Sequence, residues 1–138
     1  MKQPVDFKAL LKQNNLRVTN HRLCVLQVLH DIGKPAPVDQ IILGLEHINS
    51  HPDQATVYRI IDSLTGEQIL QEVDFGDGKK RYEIAGDHHH HLVCEKCGHI
   101  DAIKDCLPEG FEEKVRTTHR FNITHHNLEF FGLCNRCR

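Results

Sequence analysis

Through residues 1–70 the apolar positions recur at helical spacing. Phe7, Leu10 and Leu11 mark a short amphipathic helix that the Asn14-Asn15 pair ends. Thr19 or Asn20 can cap a second helix over residues 21–32, apolar almost all round and so suited to a buried central place. Gly33-Lys34-Pro35-Ala36-Pro37 breaks the chain, and Val38, Ile41, Ile42, Leu45 and Ile48 then define a third helix. Asp53 caps a fourth over residues 53–70, in which Val57, Ile60, Ile61 and Leu64 share one arc. Thr56, Arg59 and Ser63 lie on its other side, with Tyr58 on a flank. The pattern then changes to two extended pieces, residues 69–75 and 79–84, joined by the turn Gly76-Asp77-Gly78. Three helices, a recognition-type helix and a hairpin are the order of a winged helix-turn-helix.

Ala85-Gly86-Asp87 reads as a joint, which divides the chain into domains 1–84 and 85–138. Beyond it come a strand through residues 88–94, a turn, and a strand through 99–103. A helix beginning near Pro108 and a long strand over residues 121–134 complete a small α/β domain. The fold class is α+β.

Composition sharpens this picture in one place. The 138 residues are 39% hydrophobic and 26% charged, as in an ordinary globular chain. With no apolar run near the roughly 20 residues of a membrane span and no signal-peptide core, the chain is expected in the cytoplasm, with no membrane partner. The net charge of −2 excludes a nucleic-acid binder that works by bulk positive charge, since residues 1–86 hold 10 Lys and Arg against 11 Asp and Glu. The unusual numbers are 12 His and 6 Cys, of which eight and five fall after residue 86. In a reducing compartment that concentration points to metal rather than disulfides.

Cys94-Glu95-Lys96-Cys97 and Cys134-Asn135-Arg136-Cys137 are two C-x-x-C knuckles. Each presents two thiols from one tight loop, and four thiolates in a tetrahedron are a preferred structural zinc site. A redox dithiol is the competing reading. Cys24 and Cys106 have no partner at ligand spacing, and Cys24 reads as a small core residue. His88-His89-His90-His91 runs into the first knuckle; in an extended strand His88 and His90 face one way, His89 and His91 the other. One strand can thus supply imidazole pairs to two metal sites. Glu83, Asp101, Glu109, His125 and His126 are further candidate ligands. A zinc hydrolase would need an open coordination position and a base, and no H-E-x-x-H or nucleophile motif is present. A passive zinc-binding protein without DNA binding would leave the helices and hairpin of residues 1–84 without a role.

Five segments, LRVTNHR (Leu16 to Arg22), ATVYRIID (Ala55 to Asp62), GDGKKRYE (Gly76 to Glu83), HHHHLVCEKCG (His88 to Gly98) and THHNLEFFGLCNRC (Thr124 to Cys137), together resemble the ferric uptake regulator family of metal-dependent bacterial repressors. The resemblance runs nearly end to end. It implies a homodimer with an N-terminal DNA-binding domain and a C-terminal dimerisation domain, in which metal at the hinge sets the spacing for a palindromic double-stranded operator. By position it implies structural zinc on Cys94, Cys97, Cys134 and Cys137, a second site on His88, His90, Glu109 and His126, and a hinge sensor on Glu83, His89 and His91. It implicates Arg17, Tyr58 and Arg59 in DNA binding, and Thr56 and Ser63 are suitable phosphate donors. The regulatory metal is expected to be Fe²⁺ or Zn²⁺, with Mn²⁺ as a further candidate.

The chain also departs from the family pattern. Pro35 stands where members often carry a hinge His, leaving Asp101 as a candidate fourth ligand. His90 replaces the Asp of many iron sensors and resembles the zinc-sensing branch, yet Ala85 replaces a Cys frequent there. THHNLEFFG resembles the peroxide-sensing branch, in which an Asp occupies the position of Ala102. Iron, zinc and peroxide branches all stay open.

Overall fold

The computed structural model describes residues 5–86 and 88–138. They form two compact units, Met1–Gly86 and Asp87–Arg138. The first opens with α1 (Phe7–Gln13), whose leading N–H groups are met by Asp6, which accepts from the Ala9 N–H at 3.1 Å. Helix α2 (Asn20–Ile32) is capped by Thr19, whose hydroxyl accepts from the Arg22 N–H at 3.2 Å. Of the two cap candidates, Thr19 holds the position. Gly33 ends α2 in the left-handed conformation, φ 70°, and its N–H bonds Leu29 O at 3.1 Å.

Helix α2 is the centre of this unit and packs on α1, on α3 (Val38–His47) and on α4 (Gln54–Gly66). Gly44 sets the α2–α3 approach: a Cβ there would lie 2.5 Å from Val28 Cγ1. The core joins Leu11 of α1 and Leu26 of α2 to Ile41 and Leu45 of α3, and to Val57, Ile61 and Leu64 of α4. The α4 arc marked by periodicity is the buried face. The helix stops at Gly66 rather than continuing to residue 70. Gln68 turns left-handed at φ 60°, and the Ile69 N–H closes on Leu64 O at 2.9 Å, which starts the chain into a strand.

That strand, β1 (Leu70–Asp74), pairs antiparallel with β2 (Lys80–Ile84). The turn needs glycine, because Gly76 and Gly78 both adopt φ 80°. Ala36 and Tyr82 exchange two backbone hydrogen bonds of 2.9 Å, so the loop before α3 lies along the hairpin. Helices α3 and α4 with this hairpin make a winged helix-turn-helix.

The second unit holds β3 (His90–Cys94), β4 (Ile100–Ile103), α5 (Phe111–His119) and β5 (Glu129–Gly132). Strand β3 is central, antiparallel to β4 and parallel to β5. Two elements are shorter than expected. Helix α5 begins three residues after Pro108, because Phe111 first closes a turn onto Pro108 O and Gly110 adopts the left-handed region. The strand expected over 121–134 is regular only at 129–132, since β3 offers a ladder to those four residues alone. Among the described residues no helix is long and apolar enough to cross a membrane.

Candidate metal centres and nucleic-acid interface

The two knuckles meet at one end of β3. Cys94 ends that strand, and its carbonyl accepts from the Gly98 N–H at 3.0 Å in a turn that Gly98 allows at φ 77°. The Glu95 N–H bonds Gly132 O at 2.8 Å and ties the first knuckle to the end of β5. The thiols of Cys94, Cys97, Cys134 and Cys137 then lie within 4.8 Å of one another. Sγ of Cys97 and Sγ of Cys134 are 3.7 Å apart. A tetrahedral zinc with bonds of about 2.3 Å has sulfur–sulfur edges of about 3.8 Å, so the donor set fits the ion.

The electrostatics of the cluster agree. The Cys97 and Cys134 backbone N–H groups point at Cys94 Sγ, at 3.5 and 3.4 Å, and hold its thiol down at about 5. Cys134 is also lowered, through the Arg136 N–H. Cys137 is instead pushed up to about 12, foremost by its hydrogen bond with Cys134. Amides favour the first negative charges and neighbouring sulfurs oppose the last; a divalent cation removes that opposition.

The four-histidine run divides by alternation along the strand. His88 and His90 pair edge-on with ring centroids 4.5 Å apart, and His89 and His91 do the same at 4.9 Å. His90 and His91 are buried. His126, from the irregular segment before β5, joins the first pair, with His126 Nε2 at 3.2 Å from His90 Nε2. The cluster is closed by Cys106, whose Sγ lies 3.1 Å from His90 Nε2, 3.2 Å from His126 Nε2 and 3.4 Å from His88 Nε2. Burial, then the neighbouring His88 and His126, lower the pKa of His90 and so favour its neutral imidazole, the form that ligates metal.

Glu109 is not in this group. It is exposed in the Pro108-Glu109-Gly110 turn, and the carboxylate that reaches the cluster is Glu112, in the first turn of α5, which bonds His126 Nδ1. Sequence reasoning missed Cys106 and Glu112. The one available signal was arithmetic: the knuckles use four of the five late cysteines and leave one beside an excess of histidine.

The residues expected at the hinge belong to different units. Glu83 is buried on β2, where Gln71 donates to its Oε1 at 2.5 Å; His89 and His91 belong to the second unit. Asp101 is exposed and bonds His99 Nε2 at 2.9 Å, and His125 Nδ1 lies 2.9 Å from the Thr124 hydroxyl.

In the first unit α4 presents Tyr58 and Arg59 to solvent, Tyr58 at 45% exposure. Asp53 accepts from the Thr56 N–H at 2.7 Å, and its carboxyl is held below the ordinary value first by the Thr56 side chain, so that hydroxyl is engaged in the cap. Ser63 is half-buried. Arg17 is exposed before α2, its carbonyl accepting from Arg22 Nη1 at 2.6 Å.

The chain is similar to known proteins over nearly all its length. The family model of the ferric uptake regulator family matches residues 13–131. A ferric uptake regulation protein of Bacillus subtilis is 32% identical over 143 aligned positions, covering 99% of this chain and 96% of that protein. A peroxide-responsive repressor of Staphylococcus saprophyticus is 28% identical, covering 96% of this chain and 90% of its own. The crystal structure of the Vibrio cholerae ferric uptake regulator, described as revealing a rearrangement of its DNA-binding domains, superposes with a TM-score of 0.80 at 28% identity, covering 94% of this chain and all of that one. With a helix-turn-helix and wing in one unit and a cluster of cysteines in the other, this chain belongs to the ferric uptake regulator family.

Proposed function

We propose that this chain is a homodimeric repressor whose hold on a palindromic operator is set by bound metal. As a member of its family it is a metal-responsive transcription regulator and not an enzyme. The observation that carries the reading is the pairing of an outward-facing Tyr58-Arg59 on α4 with the metal-ligand clusters of the second unit. Arg59 can read guanine edges or phosphates, and the Tyr58 ring can contact a thymine methyl. Arg17 supplies a further backbone or minor-groove contact, and Thr56 supports the helix start while facing the DNA side. Because residues 1–86 are near neutral, affinity rests on this local patch and on two copies bound at once. Exposed Phe130, Phe131 and Leu133 support a second copy as partner of the C-terminal unit.

In this reading Cys94, Cys97, Cys134 and Cys137 hold zinc permanently, and His88, His90 and His126 belong to a second site. Glu83, His89 and His91 form the hinge site, so that Fe²⁺ or Zn²⁺ joins the DNA-binding domain 1–84 to the domain 85–138. Metal couples to DNA only through its differential affinity for the operator-binding state. The chain works in the cytoplasm.

The test uses duplexes selected from a random pool by the metal-loaded protein. Arg59→Ala and Tyr58→Ala should each weaken operator binding about 5-fold to 150-fold, as expected for a lost base contact, with metal content unchanged. Chelating the hinge metal should abolish binding while the cysteine-bound zinc stays. Undiminished affinity in the chelated protein contradicts the reading. The similarity to a peroxide-responsive repressor favours a second reading, in which peroxide releases the operator. Adding hydrogen peroxide to the metal-loaded complex separates the two.

A further inference from the structure

We infer that the second unit carries a centre of three imidazoles and one thiolate, His88, His90, His126 and Cys106, which takes a tetrahedral zinc-class cation in preference to a hard cation such as Mn²⁺. The inference deepens the proposed function and rests on its reading of the imidazole cluster as a metal site. What is new is the thiolate, and with it the class of metal.

Geometry comes first. With bonds of about 2.0 to 2.1 Å to nitrogen and 2.3 Å to sulfur, a tetrahedral centre has ligand–ligand edges of about 3.3 to 3.6 Å. The observed edges are 3.1, 3.2 and 3.4 Å from sulfur to nitrogen and 3.2 Å between His90 and His126. Each imidazole offers the same atom, Nε2, to one centre.

Hydrogen bonding alone leaves the group unbalanced. The carboxylate of Glu112 accepts from His126 Nδ1, so a neutral His126 carries its proton there and aims a bare lone pair from Nε2 at both His90 and Cys106. A thiol has one proton and three nitrogens to meet. A cation at the centre satisfies all four donors together, and a carboxylate behind a ligating histidine is the usual device for fixing its tautomer.

The donor set then selects the metal. One thiolate and three imidazoles suit zinc or cobalt, whereas Mn²⁺ prefers carboxylate, carbonyl and water oxygens. A ligating Glu109 would have pulled the site toward the harder ions. Four protein ligands also leave no open position, so the centre holds metal and does no hydrolysis.

The experiment strips the full chain of metal and titrates it with Co²⁺ alone, reading the thiolate-to-cobalt charge-transfer band, to which imidazole and carboxylate ligands add nothing. The wild type should saturate at five Co–S bonds, gained in separate steps of four and one. Cys106→Ser should lose one fifth of the intensity, and its remaining four-bond band shows that the unit has formed. Glu109→Gln should keep all five. Glu112→Gln should keep five while weakening the one-bond step by about 10-fold to 100-fold. In competition, Zn²⁺ should displace the cobalt of the one-bond step at concentrations at least 100-fold below those of Mn²⁺, and Cys106→Asp, followed by the visible d–d bands of its cobalt because it has no Co–S bond at this centre, should narrow that ratio at least tenfold.

Wild-type saturation at four bonds, full intensity in Cys106→Ser, or equal displacement by Mn²⁺ and Zn²⁺ overturns the inference. The wild-type titration carries the test even if the variant does not fold. These readouts involve no DNA, so they fail independently of operator binding.

Discussion

The two units of this chain are held together by different chemistry. In the first, Leu11, Val25, Leu26, Ile41, Ile61 and Leu64 are fully buried, contributed by α2 and the three helices around it. Burying one such side chain contributes about 1.5 to 3 kcal/mol, and the first unit has many. In the second, the buried residues among those described are His90, His91, Cys94 and Ile100. Helix α5 buries none of its residues, and Phe111, Phe121, Phe130 and Phe131 are each roughly half exposed or more. A unit spanning residues 87–138 is small enough that an apolar core alone is marginal. This one gives its interior to potential ligands, so its stability is expected to depend on metal.

Three changes should break or sharpen the contrast, and the chain offers a convenient probe. Its two tyrosines, Tyr58 and Tyr82, both lie in the first unit, and there is no tryptophan. Tyrosine near-ultraviolet circular dichroism therefore reports the first unit alone.

The largest effect belongs to Cys134→Ser. Structural zinc in small domains contributes on the order of 10 kcal/mol, so losing one thiolate should cost the second unit its fold. Zinc content should drop while the tyrosine transition persists; loss of both, or of neither, removes the distinction between the units. Next comes Leu26→Ala in α2, at a position with no exposure. It should lower the stability read by tyrosine by about 2 to 5 kcal/mol and leave zinc content unchanged.

The smallest is a pH effect at the wing. Arg81 Nη2 bonds Asp77 Oδ2 at 2.7 Å, and this contact, with the Lys79 N–H, holds the Asp77 carboxyl down at about 2. The folded value lies below the unfolded 3.8, so the contribution is complete above about pH 4 and disappears as pH falls toward 2. Asp77→Asn should thus be less stable than the wild type at pH 6, with the difference vanishing near pH 2. A difference independent of pH would assign the effect to the turn backbone instead.

The same contrast explains what could be read from the chain. Helices announce themselves by periodicity, as Val57, Ile60, Ile61 and Leu64 did for α4, and the wing by Gly76-Asp77-Gly78. The knuckles were legible because both ligands of each pair lie in one turn. Cys106 was not, because its three histidines come from other segments and no local spacing records a meeting made by the fold. Nor could alternation in residues 121–134 reveal how short a ladder β3 would offer. Glu109 illustrates the limit of positional transfer: three residues along, Glu112 occupies the first turn of α5 and reaches His126.

Hydrogen exchange on the full chain, metal-stripped and then zinc-loaded, tests the central claim most directly. Amides of β3, β4 and β5 should lose protection on stripping and regain it with zinc, while those of α2 and α4 stay protected throughout. Equal protection of the second unit with and without zinc would contradict the account.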